Sequence, residues 1–154
     1  MAWPVKESMI KWIKFHVPNG RTILELGSGD GTTAMLCSDY VLYSVEHDLK
    51  WINKYSSNYI KADLFLDWYN LTEEMLPKDY DLLIVDGPAG NSRLNFIYNF
   101  NLFRKDVPII VDDVERVYVK AIVDFLVSSG YSVLCGDVST LNKQWAVVVP
   151  RRLQ

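Results

Sequence analysis

Cysteine and long apolar runs, which mark secreted and membrane proteins, are scarce in this sequence. Cys37 and Cys135 are the only cysteines among 154 residues, and no Cys-x-x-Cys pattern occurs. Such sparse cysteine is typical of a reducing compartment rather than of a disulfide scaffold. No apolar run approaches the ~18 residues of a membrane span, and lysines interrupt the apolar pattern of the first 17 residues, where a signal peptide would lie. We therefore expect a soluble cytoplasmic protein without membrane contact.

A surplus of positive charge is also missing. Lysine and arginine number 16 against 19 aspartates and glutamates, which gives a formal net charge of -3. Proteins that bind nucleic acid through its phosphates usually carry an excess of lysine and arginine. A nucleic-acid partner is therefore unlikely on composition, and a small-molecule substrate is favoured. The composition leaves the oligomeric state open.

The chain has enough apolar residues for one folded domain. Hydrophobic residues make up 49% of the sequence and charged residues 23%, and a length near 150 residues is typical of a single domain. The sequence shows no internal repeat and no linker. We predict one domain over residues 1–154, with a helix in residues 1–20 and a ligand-binding core in residues 21–154.

Short apolar segments alternate with helical patterns along the chain. The predicted strands are residues 22–26, 41–45, 59–62, 81–85, 108–111, 131–135 and 145–149. The predicted helices are residues 4–17, 32–38, 48–55, 92–103 and 114–129, and residues 64–76 are ambiguous and partly helical. This alternation predicts a doubly wound α/β fold with a mostly parallel seven-stranded sheet. Only a modest loop separates the last two strands, so we expect them to form an antiparallel C-terminal hairpin.

A glycine-rich turn follows the first predicted strand. Its residues include Glu25, Gly27, Ser28, Gly29 and Gly31, and a helical pattern comes next. Glycines at such a turn let bare backbone amides approach a ligand, and the helix that follows offers unpaired N–H groups. The turn therefore predicts a site for an anion or a nucleotide cofactor. The third glycine comes one residue earlier than in the dinucleotide fingerprint Gly-x-Gly-x-x-Gly, which argues against NAD.

Acidic residues end the next two predicted strands. In open α/β sheets, ligands bind beyond the carboxyl ends of the strands. Glu46 lies at such an end, and its carboxylate suits the diol of a ribose, although a solvated strand end is the simpler interpretation. His47 follows it and lies either beside a base or on the plain surface. Asp63 ends the third strand, where it contacts a ligand or caps a helix.

The pattern acidic-x-Gly-x-Gly-x-Gly at Glu25 resembles motif I of the class I S-adenosylmethionine-dependent methyltransferases. The predicted order of strands and helices matches that family as well, so the resemblance covers nearly the whole chain. It implies that S-adenosylmethionine is the cofactor. In the pattern of that family, an acid at the first position holds the cofactor's amino group and the glycine turn passes under its methionine part. The implied cofactor-binding residues are Glu25, Gly27, Ser28, Gly29, Gly31, Glu46, His47, Asp63 and Asp86.

Three aspartates follow the fourth and fifth predicted strands. Asp86, Asp112 and Asp113 should converge at one sheet edge, where they repel each other unless a positive group lies among them. The arrangement resembles the cation-dependent O-methyltransferases typified by catechol O-methyltransferase, which implies Mg²⁺ held by these three residues. Asp113 replaces the usual Asn, and the lysine expected after Asp86 is missing, which puts metal dependence in doubt. The alternative is that the aspartates only end strands and cap a helix.

The function hypothesis follows from these residues. It is an S-adenosylmethionine-dependent methyltransferase that methylates an oxygen of a small molecule or sugar. Asp86 or Asp112 would orient and deprotonate the acceptor, with or without a cation. Arg93 would either bind a substrate carboxylate or phosphate, or pair on the surface with the local aspartates. The alternatives are a non-catalytic S-adenosylmethionine-binding module or subunit and, less favoured, an NAD-dependent oxidoreductase.

Overall fold

A computed structural model describes residues 7–137 and 144–151 of the chain, without the side chains of residues 135–137. The strands are β1 (Thr22–Leu26), β2 (Val41–Glu46), β3 (Asn58–Lys61), β4 (Leu64–Phe65), β5 (Trp68–Tyr69), β6 (Leu82–Val85), β7 (Ile109–Asp112), β8 (Tyr131–Asp137) and β9 (Trp145–Pro150). The α-helices are α1 (Glu7–His16), α2 (Thr32–Leu36), α3 (Phe96–Asn99) and α4 (Val117–Ser128). Among these helices, none is long and apolar enough to cross a bilayer.

Seven strands form the main sheet in the order β3-β2-β1-β6-β7-β9-β8. Of these seven strands, β9 alone runs opposite to the other six. It lies between β7 and β8 and pairs antiparallel with both. The predicted fold class is therefore confirmed, including the antiparallel C-terminal hairpin. Leu26 of β1 pairs with Val45 on one side and Val85 on the other, and Val85 pairs with Val111. The carboxyl ends of the four central strands β2, β1, β6 and β7 are thus level along one edge.

Helices cover both faces of this sheet. Successive residues of β6 point to opposite faces: Leu83 and Val85 pack in the cluster that includes residues of α4, whereas Leu82 and Ile84 pack in the cluster that includes residues of α1. All four are buried, which explains the continuous apolar character of this strand. Burial of one such side chain contributes ~1.5–3 kcal/mol. The sheet is therefore a firm support for the loops at its carboxyl edge.

The prediction of a helix over residues 48–55 is wrong. The segment forms isolated turns, in which the amides of Trp51 and Lys54 bond to the carbonyls three residues earlier, at 3.0 and 3.1 Å. Asn53 has a left-handed backbone with φ 64°, which ends any helical run there. Asp48 still acts as a local cap, because its carboxylate accepts a hydrogen bond from the amide of Lys50 at 3.1 Å.

The segment predicted as partly helical, residues 64–76, is mainly extended at its start. Strands β4 and β5 form a tight hairpin in which Phe65 pairs with Trp68. Its two turn residues, Leu66 and Asp67, both have positive φ, 51° and 62°, as a hairpin turn of this length requires. The helical part is one short 3-10 turn, Glu73–Met75.

The helix predicted for residues 92–103 is broken into three pieces. A 3-10 segment, Gly90–Asn95, leads into α3, and a second 3-10 turn, Phe100–Leu102, follows it. The first piece matters for function, because it carries Arg93 into the interior beneath the carboxyl ends of β6 and β7. The C-terminal helix begins at Val117, three residues later than predicted.

Candidate functional site

The glycine turn after β1 is in direct backbone contact with the loop after β6. Gly27 has φ 94°, and a Cβ atom there would lie 2.6 Å from the carbonyl oxygen of Asp86. A Cβ atom on Gly87 would lie 3.0 Å from the Cα of Gly27 and would overlap the hydroxyl oxygen of Tyr69. Only glycine permits both the positive φ and this close approach. The contact brings the loops of two neighbouring strands together.

The next two glycines face open space. A Cβ atom on Gly29 or Gly31 would meet no atom within 4 Å among the described residues. The side chain of Thr33 holds the turn in place, because its hydroxyl accepts a hydrogen bond from the amide of Gly29 at 2.9 Å. The hydroxyl of Ser28 also bonds to Thr33, at 2.9 Å, and to Tyr59, at 3.0 Å. This open strip of backbone fits the cradle that the resemblance implies for a cofactor.

Glu25 lies completely buried beneath the glycine turn, with 0% of its surface exposed. Its carboxylate accepts hydrogen bonds from the hydroxyls of Thr32 at 3.0 Å, Thr33 at 2.6 Å and Ser44. We call these four residues the hydroxyl cluster. Burial raises the pKa of Glu25 to about 7, although the three hydroxyl groups oppose the shift. Its carboxylate thus anchors the start of α2, and its contact with a cofactor stays a prediction.

Glu46 fastens the end of β2 to the glycine turn. One carboxylate oxygen accepts from the amide of Ser28 at 2.9 Å, and the other accepts from the amides of His47 and Asp48 at 2.8 and 2.9 Å. A carboxylate has about four acceptor positions, so one remains for a ligand. One position suffices for a single ribose hydroxyl rather than for both hydroxyls of the diol, and the ribose contact stays a prediction.

The remaining predicted contacts to the adenosine part lie farther along the edge. His47 is half-buried, and its ring centroid lies 6.3 Å from that of Tyr69. Asp63 is exposed, and its carbonyl oxygen accepts from the amide of Asn70 at 2.8 Å. Asp63 therefore lies between β3 and β4 and starts no helix. Cofactor roles for both residues stay predictions.

Asp86, Asp112 and Asp113 do converge, and we call them the aspartate cluster. One carboxylate oxygen from each lies within 4.8 Å of the others. Asp112 accepts from the amide of Asp113 at 2.9 Å. Burial, followed by the charge of Asp112, raises the pKa of Asp86 well above its usual range, whereas the charge of Arg93 lowers it. The Asp86 side chain keeps 25% of its surface exposed, so it is reachable from solvent.

Arg93 occupies the interior of this cluster, with only 4% of its surface exposed. Its Nη1 donates to the Asp113 carboxylate at 2.9 Å and to the Asp112 carbonyl at 3.3 Å. Its Nε donates to the carbonyl of Pro88 and its Nη2 to that of Asp86, both at 3.2 Å. The arginine thus pairs with the local aspartates, as one of the two sequence alternatives stated, but inside the protein rather than on its surface. A contact with substrate stays a prediction.

The aspartate cluster does not fit a divalent cation as a three-carboxylate ligand set. The Asp113 carboxylate is already paired with Arg93, and the Nη2 of Arg93 lies 3.8 Å from an Asp86 carboxylate oxygen. A metal bound by all three carboxylates would lie beside this guanidinium and be repelled by it.

Sequence reasoning missed Tyr69 as a residue of the site. Its ring is 4% exposed, and its hydroxyl lies against Gly87, where the two loops meet. Burial and the charge of Glu46 raise the pKa of Tyr69 well above its usual range, so the phenol stays protonated. Its distance in sequence from the glycine turn left no signal for the contact.

The chain finds no match among protein-family models or curated proteins. Among solved structures, it resembles a TehB-like SAM-dependent methyltransferase from Corynebacterium glutamicum with a TM-score of 0.62 and 17% identity, covering 92% of this chain and 86% of that one. This is the class I methyltransferase fold. An rRNA methylase from Streptococcus thermophilus shares it with a TM-score of 0.63 and 11% identity, over 97% and 98% of the two chains.

A third similar structure is a putative caffeoyl-CoA O-methyltransferase from Staphylococcus aureus, with a TM-score of 0.61 and 16% identity. The match covers 94% of this chain and 81% of that one. Two of these names specify different acceptors, rRNA and a coenzyme A ester. The class I methyltransferase fold therefore leaves the acceptor to be argued from the residues of the site.

Proposed function

We propose that this protein is an S-adenosylmethionine-dependent methyltransferase that acts on a hydroxyl oxygen of a small molecule or sugar. One observation carries the proposal: Gly27 contacts the backbone of Asp86 and Gly87. This contact brings the open glycine turn beside a partly exposed carboxylate. This contact supports a site in which a cofactor cradle and a proton acceptor lie side by side.

The glycine turn and its supports would hold the cofactor. Bound S-adenosylmethionine supplies an electrophilic methyl group on a sulfonium. The open backbone at Gly29 and Gly31 leaves room for it, and Glu46 fixes the turn through the amide of Ser28. Holding the two reactants in line supplies ~7–11 kcal/mol of the barrier in well-oriented reactions.

Asp86 is our candidate for the group that orients and deprotonates the acceptor. As the acceptor oxygen bonds to the methyl carbon, its proton passes to a carboxylate oxygen of Asp86. Burial and the charge of Asp112 raise the pKa of Asp86, so its carboxylate is a stronger base, and the reaction would need this ionised form. General base catalysis of this kind contributes ~10²–10⁴-fold in rate. Asp112 is the positioning partner in this scheme.

The substitution Asp86→Asn tests this role. We expect turnover to fall by ~10²-fold or more, while the affinity for S-adenosylhomocysteine, measured by calorimetry, stays nearly unchanged. Asp39→Asn is the control, because it removes a carboxylate paired with Lys14 in a partly exposed ion pair at 3.0 Å. Equal losses of turnover and affinity in the Asp86 variant would instead show a structural role.

Calorimetry of the unaltered protein tests the cofactor itself. Micromolar binding of S-adenosylhomocysteine is expected, and failure to bind would overturn the proposal. Screening should cover phenols, sugars and RNA, because an rRNA methylase shares this fold. We propose a small-molecule acceptor and a cytoplasmic location from the charge balance and sparse cysteine. Binding without methylation of any acceptor, together with a stable protein partner, would favour a non-catalytic module.

A further inference from the structure

A buried guanidinium lies where three carboxylates converge. Arg93 bonds to the Asp113 carboxylate at 2.9 Å and lies 3.8 Å from the Asp86 carboxylate. A second arginine, Arg116, approaches the same Asp113 oxygen from the surface at 3.9 Å. Two positive groups therefore face the three carboxylates of the aspartate cluster. Arg93 is the inner one, with 5% of its side chain exposed against 38% for Arg116.

Arg93 is fixed in this place by the backbone as well as by charge. Its other donors reach the carbonyls of Asp86 and Pro88 in the loop after β6, and of Asp112 at the end of β7. Four hydrogen bonds therefore join it to two neighbouring loops. A side chain held in this way cannot swing out without leaving buried carbonyl groups unpaired.

The backbone at Asp113 supports the same arrangement. Asp113 has φ 63°, a left-handed conformation that residues other than glycine seldom adopt. In this conformation its carboxylate lies against Arg93, and 14% of its side chain is exposed. The 3-10 segment Gly90–Asn95 brings Arg93 in from the other side. Two irregular backbone segments thus bring this ion pair together.

We propose that Arg93 is a built-in cation that takes the place of a divalent metal in the aspartate cluster. It acts as a positioning residue: it balances the carboxylates and holds the loops that carry Asp86 and Asp112. Methyl transfer by this protein is then independent of added metal. That last consequence rests on the proposed function, whereas the claim about metal binding does not.

The test measures Mn²⁺ binding by electron paramagnetic resonance and by the shift in melting temperature, with EDTA as the reference. Three proteins are compared: the unaltered chain, Arg93→Met and Arg116→Met. The methionine side chain keeps most of the length of arginine without its charge. Arg116→Met is the matched control, because it removes a positive charge near the same Asp113 oxygen but at a more exposed position.

We expect millimolar Mn²⁺ to bind neither the unaltered protein nor Arg116→Met and to leave both melting temperatures unchanged. Arg93→Met should gain a bound Mn²⁺ and a rise of several degrees in melting temperature, since the metal then binds the vacated carboxylates. Binding of Mn²⁺ to the unaltered protein that disappears in Asp113→Asn would overturn the proposal. A folded Arg93→Met that gains no Mn²⁺ would overturn it too.

A second variant and a separate titration with S-adenosylhomocysteine keep the possible outcomes distinguishable. If Arg93→Met does not fold, Arg93→Lys keeps the charge and should fold with no response to Mn²⁺, whereas a Mn²⁺ response in that variant would contradict the inference. None of these measurements uses a cofactor. Failure of S-adenosylhomocysteine to bind the unaltered protein would therefore overturn the proposed function alone.

Discussion

The hydroxyl cluster and the aspartate cluster bury carboxylates in opposite ways. Glu25 is surrounded by hydroxyl donors from Thr32, Thr33 and Ser44. The aspartate cluster instead encloses the full positive charge of Arg93. A hydroxyl group stabilises a carboxylate through its dipole alone, whereas a guanidinium also supplies a charge. The two clusters therefore offset the desolvation of their carboxylates by different groups.

The pKa of Glu25 shows the size of that penalty. Burial lifts it from 4.5 to about 7 despite three hydrogen bonds. Arg93 acts against the same effect at Asp86, where it lowers a pKa that burial and neighbouring charges raise. Both clusters therefore favour a protonated carboxyl group, Glu25 in one and Asp86 in the other. Among the described residues, the two differ in that only the aspartate cluster contains a buried guanidinium.

The largest effect should come from removing that charge. Arg93→Met removes the buried positive charge beside Asp86 and Asp113, which should cost ~3–5 kcal/mol of unfolding free energy. Arg116→Met should cost less than ~1 kcal/mol, since its ion pair at 3.9 Å is partly exposed. Urea unfolding at neutral pH measures both. Similar losses in the two variants would erase the contrast between buried and exposed cations.

The pH dependence of stability should report on the burial of Glu25. Glu25 binds its proton more tightly in the folded protein than in the unfolded chain, so its contribution to stability decreases as the pH rises from about 4.5 to about 7. The decrease amounts to ~3 kcal/mol, since one pKa unit is worth about 1.4 kcal/mol. Glu25→Gln cannot ionise and should lack this decrease. Urea unfolding at pH 5 and pH 8 tests it, and parallel curves for the two proteins would contradict it.

Two glycines of one turn should respond differently to alanine. Gly27→Ala forces a Cβ atom to within 2.6 Å of the Asp86 carbonyl at a positive φ, which should cost ~1–3 kcal/mol of stability. Gly29→Ala meets no described atom within 4 Å and should leave stability nearly unchanged. It should nevertheless weaken binding of S-adenosylhomocysteine, because the methyl group occupies the open cradle. Thermal unfolding and calorimetry, run on both variants, distinguish fold from binding.

The smallest expected effect concerns the contact between Tyr69 and Gly87. Gly87→Ala places a methyl group against the Tyr69 hydroxyl, and Tyr69→Phe removes that hydroxyl. The alanine should therefore be less destabilising in the phenylalanine background, with a coupling energy of ~1 kcal/mol. A double-mutant cycle by urea unfolding measures it. Additive effects would show that the loop moves away instead.

The alignment of acidic strand ends was predictable from the sequence. Glu25, Glu46, Asp86 and Asp112 each lie in or directly after an apolar strand segment. Parallel strands bring their carboxyl ends to one edge, and the register of β2, β1, β6 and β7 confirms this. The hydrophobic pattern of each strand and the alternation of strands with helices are local signals. They therefore sufficed to predict which acidic residues lie at this edge.

The burial of Arg93 was not predictable in the same way. Its partners come from two loops, and the most distant of them, Asp113, lies 20 residues away in sequence. The hairpin of β4 and β5 was also missed. Leu66 adopts φ 51° there, although leucine rarely does so, and the turn lacks the glycine or asparagine that marks such a hairpin. Both features depend on tertiary contacts that no local pattern records.

That hairpin has a further consequence for how the protein diversifies. Trp68 and Tyr69 anchor it in the core, whereas Phe65 and Leu66 project from its tip, with 82% of Leu66 exposed. Exposed tip residues tolerate substitution at little cost in stability. The tip lies on the same short element as Tyr69, which touches the junction of the loops after β1 and β6. A lineage can therefore vary the exposed tip of this hairpin by a few surface changes while its anchor stays constant.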